Sequence, residues 1–141
     1  MENISSNSDY SWLLRFAIFD RSPLVEYENL VGLRGLEVAI NECIEESRFR
    51  MDTIITAVDA DGIATIEREA RVLKSMCESC GFSRLAELCR VIEHAANVRT
   101  TNEIRPLIDE LERTVDLSLH ELELFANQLG ASLKIRRSAI K

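Results

Sequence analysis

The chain has 141 residues, 46% of them apolar and 29% charged, with 5 glycines and 2 prolines. That length fits one domain with one core, and the mixture is too apolar for disorder and too poor in turn formers for an all-β fold. A formal charge of −7 repels phosphodiester backbones and anionic lipid, which excludes nucleic-acid or membrane binding driven by a general electrostatic field.

The start, MENISSNSDY, carries no basic n-region. The apolar run from Trp12 to Phe19 is interrupted by Arg15 and falls far short of the roughly 20 residues that span a bilayer. These features predict a cytoplasmic protein whose four cysteines are reduced thiols rather than a disulfide framework. Residues 1–20 form an N-terminal segment with Tyr10, Trp12, Phe16 and Phe19. It is expected to cover a flank or end of the domain, with a dimer or partner contact as the alternative.

Residues 21–130 carry the helices. Ser22 followed by Pro23 opens a short helix through about Leu30. Leu36, Ile40, Cys43, Ser47, Met51, Ile54 and Val58 recur three or four apart, predicting a long amphipathic helix over about 35–60 with a small-residue gap at Ser47. The turn DADG ends it, and Asp61 is expected to cap the next helix by accepting a backbone N–H bond. Ile63, Ile66, Ala70, Leu73, Cys77 and Cys80 give that helix its buried face, and Gly81 marks its end. Ser83 is the expected N-cap of a third helix lined by Leu85, Leu88, Cys89, Ile92 and Ala96. After the loop VRTTN, Thr100 and Glu103 have capping-box spacing, although Pro106 suggests a start at Asn102 or later. The final seam is Ile104, Ile108, Leu111, Val115, Leu122, Phe125 and Leu129. Four such helices with short connections predict an all-α, antiparallel up-and-down four-helix bundle with additional short N-terminal helices. The basic tail, 131–141, with Lys134, Arg136, Arg137 and Lys141, receives no role.

Two features could hold chemistry. Cys77, Cys80, Cys89 and His94 contain the residue types of a zinc set, but the cysteines fall in buried seams while His94 points outward, so packing thiols are expected and neither metal nor cofactor is. The DADG glycine comes too early for a calcium loop, and no bidentate glutamate follows at the required distance. The second feature is an exposed flank of the helix over 61–79, where Arg71 is neighboured by Glu67, Arg68, Lys74, Ser75 and Glu78.

Residues 69–89, EARVLKSMCESCGFSRLAELC, resemble the signature of histidine phosphotransfer (HPt) domains. In that family Ala-His-x-Leu-Lys-Gly, small residues and a later Gly precede Leu-Ala-x-x-Cys; Ala70, Leu73, Lys74, Gly81, Leu85, Ala86 and Cys89 match without a gap. The likeness runs from Val31 through Gln128 and implies a four-helix bundle. It also implies a partner, the receiver domain of a response regulator or hybrid kinase, which exchanges a phosphoryl group with the family's histidine.

The departures fall at the centre of that signature. Arg71 stands where the family has its phosphoacceptor histidine, Ser75 replaces the glycine four residues later, and Met76 replaces a small residue. A carrier needs an imidazole nitrogen with a free lone pair, whereas a guanidinium with a pKa above about 12 stays protonated with its lone pairs delocalised. Arg71 therefore cannot carry phosphate. The implied protein is a pseudo-HPt, not an enzyme, whose receiver-binding surface comprises Glu67, Arg68, Arg71, Lys74, Ser75 and Glu78. The alternatives are a helical interaction scaffold, and an active carrier using His94, which has Asn97 rather than lysine at +3, or His120, which lies among acids in SLHELE. Oligomeric state does not follow from the sequence.

Overall fold

The computed structural model describes residues 10–131, so residues 1–9 of the N-terminal segment and all of the basic tail but Ala131 lie outside the described residues. Four helices dominate, α1 (Ser22–Asp59), α2 (Ile63–Cys80), α3 (Ser83–Val98) and α4 (Thr101–Gln128), preceded by a 3₁₀ turn at Ser11–Arg15. Linkers this short can only turn the chain back on itself, so successive helices run antiparallel. α1 packs on α2, α2 on α3, α3 on α4, and α4 returns to α1, closing the predicted up-and-down bundle. No helix among the described residues is long and apolar enough to cross a membrane.

The four seams meet inside. Leu36, Ile40, Ile54, Ile66, Leu73, Leu85, Leu88, Ile92, Ile104, Leu111 and Leu122 are all fully or almost fully buried. Gly32 interrupts α1 with φ 82° and ψ 173°, a conformation open to glycine and strained for other residues. The short helix opened by Ser22 and the long helix are thus two arms of one bent element. Arg21 takes the cap position without a side-chain cap bond, and the carboxylate of Asp20 before it accepts the Ser22 N–H at 3.0 Å. That bond holds Asp20 below the usual carboxylate range.

Three predicted helix starts shift. Asp61 does not cap α2: it adopts φ 58°, Gly62 takes the cap position, and the Asp61 carboxylate instead accepts the Thr101 hydroxyl at 2.6 Å, tying the α1–α2 turn to the foot of α4. Ser83 is the first helical residue of α3 behind Phe82 and makes no cap bond. α4 begins at Thr101 rather than Asn102 or beyond, because the capping box forms in full: Thr100 Oγ1 accepts the Glu103 N–H and the Glu103 carboxylate accepts the Thr100 N–H. Pro106 lies inside the helix, leaving only the Asn102 carbonyl without its helical donor.

The N-terminal segment is stitched across the α2–α3 turn. Asp20 N–H donates to the Gly81 carbonyl at 2.7 Å, and Arg84 donates from its backbone to Ala17 O and from Nε to Phe16 O, both at 2.9 Å. Phe19 stands 5.9 Å from the Phe82 ring and 5.5 Å from the Phe125 ring, and Leu13 is buried in the common core. Gly81 permits this in two ways. Its φ of +87° ends α2 in the left-handed region, and a Cβ there would lie 1.9 Å from the Asp20 carbonyl oxygen.

Candidate functional site

The seam of α2, Ile66, Ala70, Leu73, Cys77 and Cys80, faces inward, and the 100° step per residue then turns Arg71 and Ser75 to solvent. Glu67, Arg68, Arg71, Lys74, Ser75 and Glu78 all lie on this one helix; Arg68, Arg71, Ser75 and Glu78 are exposed, and Glu67 and Lys74 are half-buried. They do not form one uniform basic patch. Arg68 is paired with Glu69 at 3.6 Å, and the nearly buried Glu69 accepts from Arg50 of α1 at 2.8 Å. Arg50 also contacts Glu46 at 2.6 Å, so this side of α2 is braced against α1.

Arg71 leans the other way. Its Nε donates to the Glu93 carboxylate of α3 at 2.8 Å and its NH2 group to Glu67 at 3.1 Å, while Lys74 Nζ reaches the second Glu93 oxygen at 3.3 Å. Two cations and two carboxylates therefore close a small neutral network across the α2–α3 groove. Glu93 raises the already high pKa of Arg71 further, with Glu67 adding to it. Reciprocally, the hydrogen bond from Arg71, and then that from Lys74, holds Glu93 below the usual carboxylate range.

Sequence spacing places Glu67, four residues before Arg71 on the same helix, beside it, as expected. Glu93 was missed. It belongs to another helix, and only the packing of α3 on α2 brings it within bonding distance. His94, the next residue, is exposed, and Asn97 donates to the Glu93 carbonyl at 3.3 Å. His120 is exposed on α4.

The cysteines separate into two pairs. Cys77 and Cys89 are fully buried, and hydrogen bonding between them, with burial, pushes Cys77 well above the ordinary thiol range. Cys43 and Cys80 meet with their sulfurs 2.9 Å apart. Among the described residues no group of three or more His, Cys, Asp or Glu side chains gathers in a form that could hold a metal ion.

The flank presents a closed salt-bridge network and no nucleophile at position 71. Comparison with known proteins gives the setting. No curated protein matches the sequence. Among solved structures, the histidine-containing phosphotransfer protein B (HptB) from Pseudomonas aeruginosa PAO1 has a TM-score of 0.71 at 18% identity, covering 79% of this chain and 96% of that one; the likeness is one of fold. The Hpt domain profile matches residues 38–132, a stretch that contains Arg71, its two carboxylate partners and nearly all of the bundle, and on that match the chain belongs to the Hpt domain family.

Proposed function

We propose that this chain is a pseudo-HPt: it engages receiver domains through the solvent face of α2 and modulates a two-component phosphorelay without carrying phosphate. The observation that supports this reading most strongly is Arg71. A guanidinium held by Glu67 and Glu93 occupies the position of the family's phosphoacceptor, and no lone pair is free there for phosphoryl transfer.

Receiver active sites that partner this family are acidic. Because Arg71 and Lys74 are already neutralised within the chain, a receiver's carboxylates or aspartyl phosphate must take over bonds now made by Glu93 and Glu67. Binding is then an exchange of charge-assisted bonds, selective for a partner that can place an anion at that point. Such a module competes with true phosphotransfer proteins for the same receiver.

The test is titration of the full chain against receiver domains from the same genome, followed by incubation with a phosphorylated receiver. Saturable binding without acid-labile label on the chain is expected, together with weaker binding by Arg71→Glu. Label on the wild-type chain would overturn the reading, and an unchanged dissociation constant for Arg71→Glu would place the contact elsewhere. Arg71→His is expected to gain label slowly, since Glu67 and Glu93 would then face the anionic donor without their cation.

The scaffold alternative finds less support. Trp12 and Phe19 pack against the core and are partly buried there, which leaves less of the aromatic segment for a docking surface.

A further inference from the structure

Away from Arg71, thiols from two helices meet where the core opens to solvent. The sulfurs of Cys43 on α1 and Cys80 on α2 are 2.9 Å apart and need to close by less than about 1 Å to reach the ~2.05 Å of a disulfide. Two openings lead to them. One is an apolar cavity of about 240 Å³ bounded by Leu24, Tyr27 and Ile40; the other is a broader cleft of about 500 Å³ bearing Glu42, Glu45 and Glu46. Cys43 and Cys80 line both. The second pair has no such access, since Cys77 and Cys89 are each 0% exposed, against 8% for Cys80.

We propose that Cys43 and Cys80 form a peroxide-sensitive dithiol, which hydrogen peroxide converts to a disulfide tying α1 to α2. The Cys80 thiolate attacks one peroxide oxygen; the O–O bond breaks, and the departing hydroxide takes up the thiol proton as water. Cys80 is left as a sulfenic acid. The Cys43 sulfur, losing its proton as it attacks, displaces hydroxide from Cys80 sulfur and forms the S–S bond with a second water. Two thiols give up two electrons and two protons, and one peroxide becomes two waters.

The division of roles follows from the surroundings. Hydrogen bonding with Cys43 holds Cys80 below the ordinary thiol range, while the same contact and burial raise Cys43. Cys80 is also the more exposed of the two. The carboxylates along the wider cleft repel anionic glutathione disulfide, and a small neutral peroxide passes them. Arg71 takes no part, so this proposal and the receiver-binding reading stand or fall separately.

The experiment treats the reduced full chain with equimolar hydrogen peroxide, followed by intact mass and by digestion with a glutamate-specific protease, which cuts after Glu78 and so separates Cys77 from Cys80. The expected result is loss of two hydrogens per chain and a peptide joining Cys43 to Cys80, with Cys77 and Cys89 still alkylatable after denaturation. Cys77→Ser should keep the cross-link and Cys43→Ser should abolish it, leaving Cys80 oxidised but unlinked. Glutathione disulfide should react roughly tenfold or more slowly. A link through Cys77 or Cys89, a link between chains, no loss of hydrogens, or faster reaction with glutathione disulfide would overturn the proposal. Mapping of the wild-type chain decides the matter even where a variant fails to fold.

Discussion

Arg50→Met should destabilise the bundle far more than a typical surface substitution. Glu69 has a side-chain exposure of 6% and accepts from Arg50 at 2.8 Å. At that distance the gross attraction at an effective dielectric of 20 is about 6 kcal/mol, most of which offsets the desolvation of the two ions. Removing only the cation leaves the desolvation of Glu69 uncompensated, which costs about 3–5 kcal/mol in a fully buried pair. Arg50 retains 24% exposure, and Arg68 still lies 3.6 Å from Glu69, so the cost falls below that range, at about 2–3 kcal/mol. Replacing both partners with apolar residues, Arg50→Met with Glu69→Leu, should recover most of that loss. Urea unfolding followed by far-UV circular dichroism, run as a double-mutant cycle, measures the coupling directly. A single-mutant cost below about 0.5 kcal/mol, or a double mutant no more stable than Arg50→Met, would refute the reasoning.

Glu93 has a pKa lowered from its ordinary value of 4.5, chiefly by the Arg71 hydrogen bond. Its contribution to stability is therefore complete above the unfolded value and disappears as pH falls through the lower folded value. Thermal melts of the wild type and Glu93→Gln should accordingly converge on acidification below about pH 4.5; parallel curves would show that the pair makes no linked contribution. Glu93→Gln should also tighten binding to a receiver, by releasing Arg71 and Lys74 for its anions; a weaker complex would show that the preformed network is itself the docking element. Gly81→Ala should cost about 2 kcal/mol or more, from a left-handed backbone and a Cβ overlapping Asp20. Limited proteolysis should then cut within residues 10–21, and unaltered protection there would count against the stitching. Ser118 is fully buried and its hydroxyl has no hydrogen-bond partner among the described residues, so Ser118→Ala should stabilise by about 1 kcal/mol, read as a higher Tm.

The bundle was legible because Leu36 through Val58, Ile66 through Cys80 and Ile104 through Phe125 repeat at the helical period, and burial follows the period almost without exception. Position 71 was legible as solvent-facing for the same reason. The partners of Arg71 were only half legible: Glu67 is set by spacing along one helix, whereas Glu93 depends on the rotation of α3 against α2. Asp61 and Ser83 failed as predicted caps because turn residues choose among several nearby donors. Asp61, in a left-handed conformation, found the Thr101 hydroxyl of a helix forty residues away. The contact between Cys43 and Cys80 was invisible in the sequence, where each is simply another residue of a buried seam.

The reach of the N-terminal segment bears on where this protein begins as a physical object. The family-profile match starts at residue 38, yet Leu13, Leu24 and Leu36 upstream are buried in the shared interior. A fragment trimmed to the matched stretch would strip the covering from Phe82 and Phe125 and invite self-association through the bared rings. The unit of folding is thus longer than the stretch the profile matches, and its margin is set by hydrophobic closure.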